Sequence, residues 1–194
     1  MPRWTINATS SKAWVRSIAL GGVVLITLAW TGILAVIADI PVGYGAAQSR
    51  DATWLKAHAD QWSRFRMGTS HDLLRYIPGY LAFGLVLIGA VVIVRRQGAS
   101  GLTAGRDRLP AVIAVGALVI GAIADVVETA LFRRSLTKLL DTSGAVDVTT
   151  LTSVTRVMTV VKWTGLAASY VALAVLVLLP PEQGAANDTP KNQL

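Results

Sequence analysis

Four long runs of apolar residues dominate the chain, and polar or charged stretches separate them. The runs cover about residues 17–38, 74–94, 111–132 and 157–179. A helix needs about 20 apolar residues to cross a bilayer core of about 30 Å, and each run has about that length. The pattern therefore predicts an all-α integral membrane protein, built as a bundle of four transmembrane helices.

Residues at the ends of the runs agree with this interpretation. Arginines border them at Arg16, Arg75, Arg133 and Arg156, and Pro110 precedes the third run. We expect one membrane domain over residues 1–180 and a disordered cytoplasmic tail over residues 181–194. The first run also resembles a secretory signal ahead of residue 39, but it exceeds the 7 to 15 apolar residues typical of signals, which favours an uncleaved helix.

Composition and charge support the membrane class. Of the 194 residues, 53% are hydrophobic and 15% are charged, against about 25% charged residues in soluble domains. The net charge of +7 comes from short basic clusters beside the apolar runs, where they would meet anionic lipid headgroups rather than nucleic acid. The chain contains no cysteine, so disulfides and thiolate chemistry are excluded.

The distribution of lysine and arginine predicts the orientation. Basic residues are denser before residue 17 and in the connection 95–109 than in the connections 39–75 and 133–156. Because cytoplasmic segments carry the excess of positive residues, both termini are predicted to be cytoplasmic and the chain to lie in the cell membrane. The connections 39–75 and 133–156 would then face outward.

The first outer connection has a helical pattern of its own. Trp54, His58 and Trp62 recur at four-residue spacing, which predicts one short interfacial helix within residues 51–67, as an alternative to a solvated loop. Residues 69–72 (Thr-Ser-His-Asp) resemble a capping box that opens the second span. The second outer connection, rich in serine and threonine over residues 149–155, is predicted to be a loop.

Three charged residues interrupt the third and fourth runs. Asp125 and Glu128 lie about 10 Å and 6 Å inside the outer end of the third helix, and Lys162 lies about 9 Å inside the outer end of the fourth. A short connection joins these two ends, so the three residues share one membrane depth. Charges at a helix centre cost about 2.5 to 3.5 kcal/mol to insert, which predicts a buried Asp125–Lys162 ion pair with Glu128 nearby.

Small residues on the same helix faces favour this pairing. Ala117 and Gly121 precede the acids at four-residue spacing, and Gly165 and Ser169 follow Lys162, so the two helices can pack closely. One lysine against two acids leaves a protonated carboxyl or a net negative charge. The alternative is that a second cation joins the cluster, from Arg75, Arg133 or Arg156.

An outer-face pocket is a second candidate site. Its residues surround the start of the second span: His71, Asp72, Arg75, Tyr76 and Tyr80. The alternative to a pocket is a belt of tyrosines at the membrane interface. A metal site made from His71, Asp72, Asp125 and Glu128 can be drawn, but its spacing matches no recognised ligand pattern, so neither metal nor cofactor is expected.

These patterns leave three functions open. The first is a non-enzymatic accessory or assembly subunit, whose buried charges hold the bundle together and whose partner is a membrane protein or a second copy of the chain. The second is a small oligomeric transporter in which Asp125 and Glu128 exchange protons or cations. The third is a lipid-headgroup enzyme that uses Asp125 or Glu128 as a base, although no known catalytic motif is present. Which carboxyl would act as the catalytic residue is unknown.

Overall fold

The structure, a computed structural model, describes residues 8–97 and 107–179. These residues form helices and turns and contain no strand. A 3₁₀ turn at Ala59–Gln61 and a π turn at Asp72–Tyr76 lie between consecutive α-helices. In chain order the helices are α1 (Ala8–Ile37), α2 (Tyr44–Gln48), α3 (Ala52–Ala57), α4 (Trp62–His71), α5 (Ile77–Gln97), α6 (Arg108–Asp141) and α7 (Thr149–Leu178).

Four helical segments are long and apolar enough to cross a membrane. They are Ser17–Ile37 within α1, Ala59–Arg95 through α4 and α5, and the whole of α6 and α7. Each predicted span falls inside one of these segments to within one residue. The predicted tail, residues 181–194, lies outside the described residues.

Helices α6 and α7 form an antiparallel hairpin with a very close contact. A Cβ atom added at Gly165 would lie 2.9 Å from the carbonyl oxygen of Ala117 and 2.9 Å from the backbone nitrogen of Gly121. Ser169 then donates a hydrogen bond of 2.8 Å to the carbonyl oxygen of Ala114. The predicted packing of small residues is therefore confirmed, and it brings the polar faces of the two helices together.

The second connection is shorter and more ordered than predicted. The serine- and threonine-rich stretch is not a loop, because α6 continues to Asp141, α7 begins at Thr149, and only residues 142–148 connect them. Asp147 accepts hydrogen bonds from the backbone nitrogen (2.8 Å) and the hydroxyl (2.6 Å) of Thr149, which fixes the start of α7. These bonds also lower the pKa of Asp147. Gly144, at φ 85°, turns the chain.

The first connection is not one interfacial helix. The helix α3 ends at His58, whose φ of −118° and ψ of 44° are not helical, and a new helix starts at Trp62. Trp62 is buried and donates a 2.7 Å hydrogen bond to the carbonyl oxygen of Leu55, so it faces the protein rather than a headgroup layer. Trp54 is half-buried and stacks on His58 at 3.9 Å.

The predicted capping box is wrong as well. The helix does not start there, because residues 62–97 are helical without interruption. Thr69 donates to the carbonyl oxygen of Arg66 at 2.7 Å, one turn earlier in the same helix. Asp72 is buried and points to side chains of other elements. The π turn at Asp72–Tyr76 widens the helix at this point, as π turns do at functional or strained positions.

Two apolar clusters hold the two ends of the bundle. One lies at the end of the bundle where α1 and α6 finish and α7 begins, which we call the loop end. There the short helices α2, α3 and α4 pack on the last turns of α6. The buried side chains of this cluster include Tyr44, Leu55, Trp62, Phe65, Phe132, Leu136 and Leu139. The other lies at the opposite end and contains Ile88, Ala114, Leu118, Ala172, Leu173 and Leu176. The charged residues lie between these two clusters.

Candidate functional site

The structure brings Asp125, Glu128 and Lys162 into one cluster between α6 and α7. The Lys162 Nζ atom lies 2.9 Å from Asp125 Oδ1 and 2.7 Å from Glu128 Oε2. All three side chains are buried, with exposed fractions of 3%, 0% and 8% for Asp125, Glu128 and Lys162. One lysine thus contacts two carboxylates at once, which compensates part of the free energy lost when these charges leave water.

The second oxygen of each carboxylate is also occupied. Tyr80 donates a hydrogen bond of 2.9 Å to Asp125 Oδ2, and Thr159 donates one of 2.7 Å to Glu128 Oε1. Tyr80 was predicted as a pocket residue, whereas Thr159 was missed. The place of Thr159 could have been predicted, because Thr159 precedes Lys162 by three residues and so lies on the same face of α7.

A second acidic centre adjoins the first at the loop end. Asp72 Oδ2 accepts hydrogen bonds from Thr129 (2.8 Å) and from the Tyr44 hydroxyl (3.2 Å). Gln48 donates to both of these hydroxyl oxygens, at 3.1 Å each. Asp72 also interacts electrostatically with Asp125. The polar network therefore links the short helix α2 to α6 and to the π turn.

Tyr44 acts as a donor throughout the usual pH range. It is 2% exposed, and burial together with the negative charge of Asp72 raises the pKa of its hydroxyl well above the usual phenol value. The hydroxyl consequently keeps its proton and can donate it to Asp72. Sequence reasoning missed Tyr44, Gln48 and Thr129, because none of them is charged and two lie in a short connecting helix.

The charges of this network do not balance. Asp72, Asp125 and Glu128 are all buried, while Lys162 is the only basic residue that contacts them among the described residues. The arginines expected as a second cation, Arg75, Arg133 and Arg156, are exposed and pair with none of the three acids. The described part of the network therefore contains two more acidic groups than basic ones, and buried charges without a partner are costly.

The predicted outer-face pocket is only partly assembled. Asp72 and Tyr80 are buried in the network, and Tyr76 packs edge-on against Tyr80 with 5.6 Å between ring centroids. His71 instead contacts Asp39, whose carbonyl oxygen lies 3.0 Å from His71 Nδ1, and Arg75 is exposed. No group of three or more potential ligands within residues 8–97 and 107–179 is arranged to hold a metal ion.

An open groove lies beside the network on the outside of α7. It has a volume of ≈ 480 Å³, and its lining combines polar and apolar side chains: Ser49, Ser153, Arg156, Val157, Thr159 and Val160. Thr159 is common to the groove and the network, because its hydroxyl binds Glu128. The sequence contained no signal for this groove, since Ser49 and the α7 residues are about 100 positions apart.

The arrangement was also compared with known proteins. No protein family model, curated protein or solved structure matches this chain.

Proposed function

We propose that this chain is a non-enzymatic accessory or assembly subunit of the cell membrane, whose four long helices span the bilayer. Large apolar side chains on all four helices are exposed, among them Val36 (80%), Val86 (70%), Ile123 (59%) and Val171 (64%). Such surfaces are stable in lipid and not in water. The exposed basic residues at the helix ends support contact with anionic headgroups.

The observation that carries the proposal is that all four carboxylate oxygens of Asp125 and Glu128 contact a neighbouring side chain. Asp125, Glu128 and Lys162 bind one another, and Tyr80 and Thr159 occupy the remaining carboxylate oxygens. Side chains used in this way fix the register of α6 and α7 and attach α5 to them. This is the behaviour expected of polar groups that hold membrane helices together.

The packing of the opposite half supports a structural role over transport. A path for protons or cations needs polar groups or water across the whole membrane. At the end away from the loop end, the helices meet through the apolar side chains Ile88, Leu118, Leu173 and Leu176. The network thus lies on one side of an apolar barrier.

The proposal is tested by neutral variants of the cluster. Asp125→Asn, Glu128→Gln and Lys162→Met are compared with wild type for accumulation, thermal stability in detergent and a growth phenotype of the host. Val161→Met, a change at the exposed neighbour of Lys162, serves as the matched control. We expect stability and phenotype to fall together in the cluster variants and to stay normal in the control. Variants that fold normally but lose the phenotype would show that the cluster is a working site.

A partner is required by this function. We propose a membrane protein or a second copy of the chain, held by the exposed helix faces. Purification of the tagged chain in a mild detergent should yield a complex of defined stoichiometry. A single homogeneous monomer, together with a normal phenotype after loss of the cluster, contradicts the assembly role.

The excess of carboxyl groups favours one alternative function, a small oligomeric proton- or cation-coupled transporter. Asp72, Asp125 and Glu128 face one lysine, so the network contains groups able to exchange a proton. Vesicles containing the purified protein and a pH-sensitive dye separate the two functions. Flux that Glu128→Gln abolishes supports transport, whereas vesicles as tight as protein-free ones support the accessory role.

The orientation with both termini in the cytoplasm also belongs to the proposal. It rests on the density of basic residues rather than on their number, because Arg50, Lys56 and Arg64 place positive charge at the loop end too. A tag at either terminus should be inaccessible to protease added outside intact cells, and a tag between α6 and α7 should be accessible. In this orientation the segment containing Trp54 and Arg50 lies at the outer interface.

A further inference from the structure

We propose that the groove beside α7 binds one anionic phospholipid, with the phosphate at Arg156 and an acyl chain along Val157 and Val160. The groove lies between α7 and the end of α2, where Ser49 forms the opposite wall. The inference rests on the membrane placement proposed above, but it is independent of the accessory role.

Arg156 has the chemistry for the phosphate. It is exposed, and within the described residues it has no acidic partner and no hydrogen bond. Ser153 lies one turn away in the same groove, and its hydroxyl also donates to no described group. A guanidinium with a neighbouring hydroxyl matches a phosphate diester, because arginine forms two parallel hydrogen bonds to phosphate oxygens.

The groove changes from polar to apolar along α7. Ser153 and Arg156 lie toward the loop end, and Val157 and Val160 lie further into the bundle, over about 10 Å of helix. Val157 and Val160 are 57% and 65% exposed, and Val171, three turns beyond Val160, is 64% exposed. A headgroup site followed by an apolar track is the pattern of a phospholipid and not of a soluble anion.

The depth of the site agrees with a lipid headgroup. Arg156 lies within about 3 Å of the depth of Arg133 across the α6–α7 hairpin, because the Asp125–Lys162 and Glu128–Thr159 contacts set the register of the two helices. Both arginines are exposed where the apolar parts of α6 and α7 end. Arg133 does not line the groove, so it is a natural control for charge alone.

The occupied groove would also border the buried network. Thr159 lines the groove and donates its hydroxyl proton to Glu128, so a bound acyl chain would exclude water from that hydrogen bond. We therefore expect the lipid to increase the stability of the folded protein by binding the native state.

The test measures binding of phosphatidylglycerol to the full chain in zwitterionic detergent, by native mass spectrometry and by the shift in thermal stability. Wild type, Arg156→Gln, Arg156→Lys and the control Arg133→Gln are compared, with phosphatidylcholine and inorganic phosphate as additional probes. We expect Arg156→Gln to bind phosphatidylglycerol about tenfold more weakly, Arg156→Lys to bind at an intermediate level, and Arg133→Gln to bind like wild type. Phosphatidylcholine should bind less well, and inorganic phosphate should not compete.

Three results overturn the lipid site. One is an equal loss of binding in Arg156→Gln and Arg133→Gln, which shows general attraction between charges. Another is effective competition by inorganic phosphate, which shows a site for a soluble anion. The third is equal binding of the two lipids. The resistance of the wild-type chain to alkaline extraction from membranes is measured separately. Extraction of the chain would show that the proposed membrane placement is wrong, independently of the lipid site.

Discussion

Replacement of Lys162 by methionine removes the cation from the centre of the buried cluster while keeping a side chain of similar length. Two contacts are lost, the 2.9 Å contact with Asp125 and the 2.7 Å contact with Glu128. The two carboxylates then remain buried without an ammonium group. Removal of one partner from a buried ion pair costs about 3 to 5 kcal/mol, which is a large part of the about 5 to 15 kcal/mol that stabilises a typical fold.

The assay is thermal unfolding in detergent, where this loss corresponds to a decrease in Tm of about 6 to 20 °C at about 2 to 4 °C per kcal/mol. A triple variant, Lys162→Met with Asp125→Asn and Glu128→Gln, removes all three charges and keeps the packing. The amide at position 125 can still accept the hydrogen bond from Tyr80. We expect the triple variant to unfold near the wild-type temperature, because neutral replacement of a buried ion pair is often harmless. Equal losses in the single and triple variants would show that the unpaired carboxylates are not the cause of the lower stability.

Three further predictions follow from individual contacts. Gly165→Ala should lower stability by about 1 to 3 kcal/mol in detergent unfolding, because its new Cβ would lie 2.9 Å from backbone atoms of α6, whereas Gly116→Ala meets nothing within 4 Å and should be neutral. Tyr80→Phe removes the donor to Asp125 and should cost about 1 to 3 kcal/mol in the same assay. Asp147, whose pKa is lowered by its bonds to Thr149, stabilises the start of α7 fully at neutral pH. Its contribution begins to be lost as the pH falls below about 4, the ordinary pKa of an aspartate, and decreases further as the pH falls through the lowered pKa. The difference between wild type and Asp147→Ala should therefore be largest at neutral pH and shrink on acidification.

The depth of the charged cluster was predictable because helices have a fixed rise. Asp125 and Lys162 lie at similar distances, about 10 and 9 Å, from the connected ends of the third and fourth apolar runs, and this was sufficient to place them opposite each other. The small residues Gly121 and Gly165 added the face on which they meet. Both signals are local and periodic, and these are the features that a single sequence displays directly.

The helices of the loop end were predicted less well. The length of an apolar run shows only the part of a helix that can lie in lipid, and not where the helix ends. Beyond Phe132, α6 continues as an amphipathic helix in which Leu136 and Leu139 are buried beside exposed charges. The spacing of these leucines predicts a helix, but the mean hydropathy of the stretch, which also contains charged residues, is too low for a membrane span. Contacts such as Gln48 with Thr129 join residues 81 positions apart and depend on the tertiary fold.

Solvent access to the buried carboxyl groups is the most direct test of whether the network is a structural element that water does not enter. The native chain in lipid vesicles is treated on both sides with a water-soluble carbodiimide and an amine, and modified residues are identified by mass spectrometry. Asp147 is exposed and serves as the internal control. We expect Asp147 to be modified in the wild-type chain, and Asp125 and Glu128 to be modified only in the Lys162→Met variant, in which the cluster is disrupted. Modification of Asp125 and Glu128 in the wild-type chain at the rate of Asp147 would show that the network is open to water.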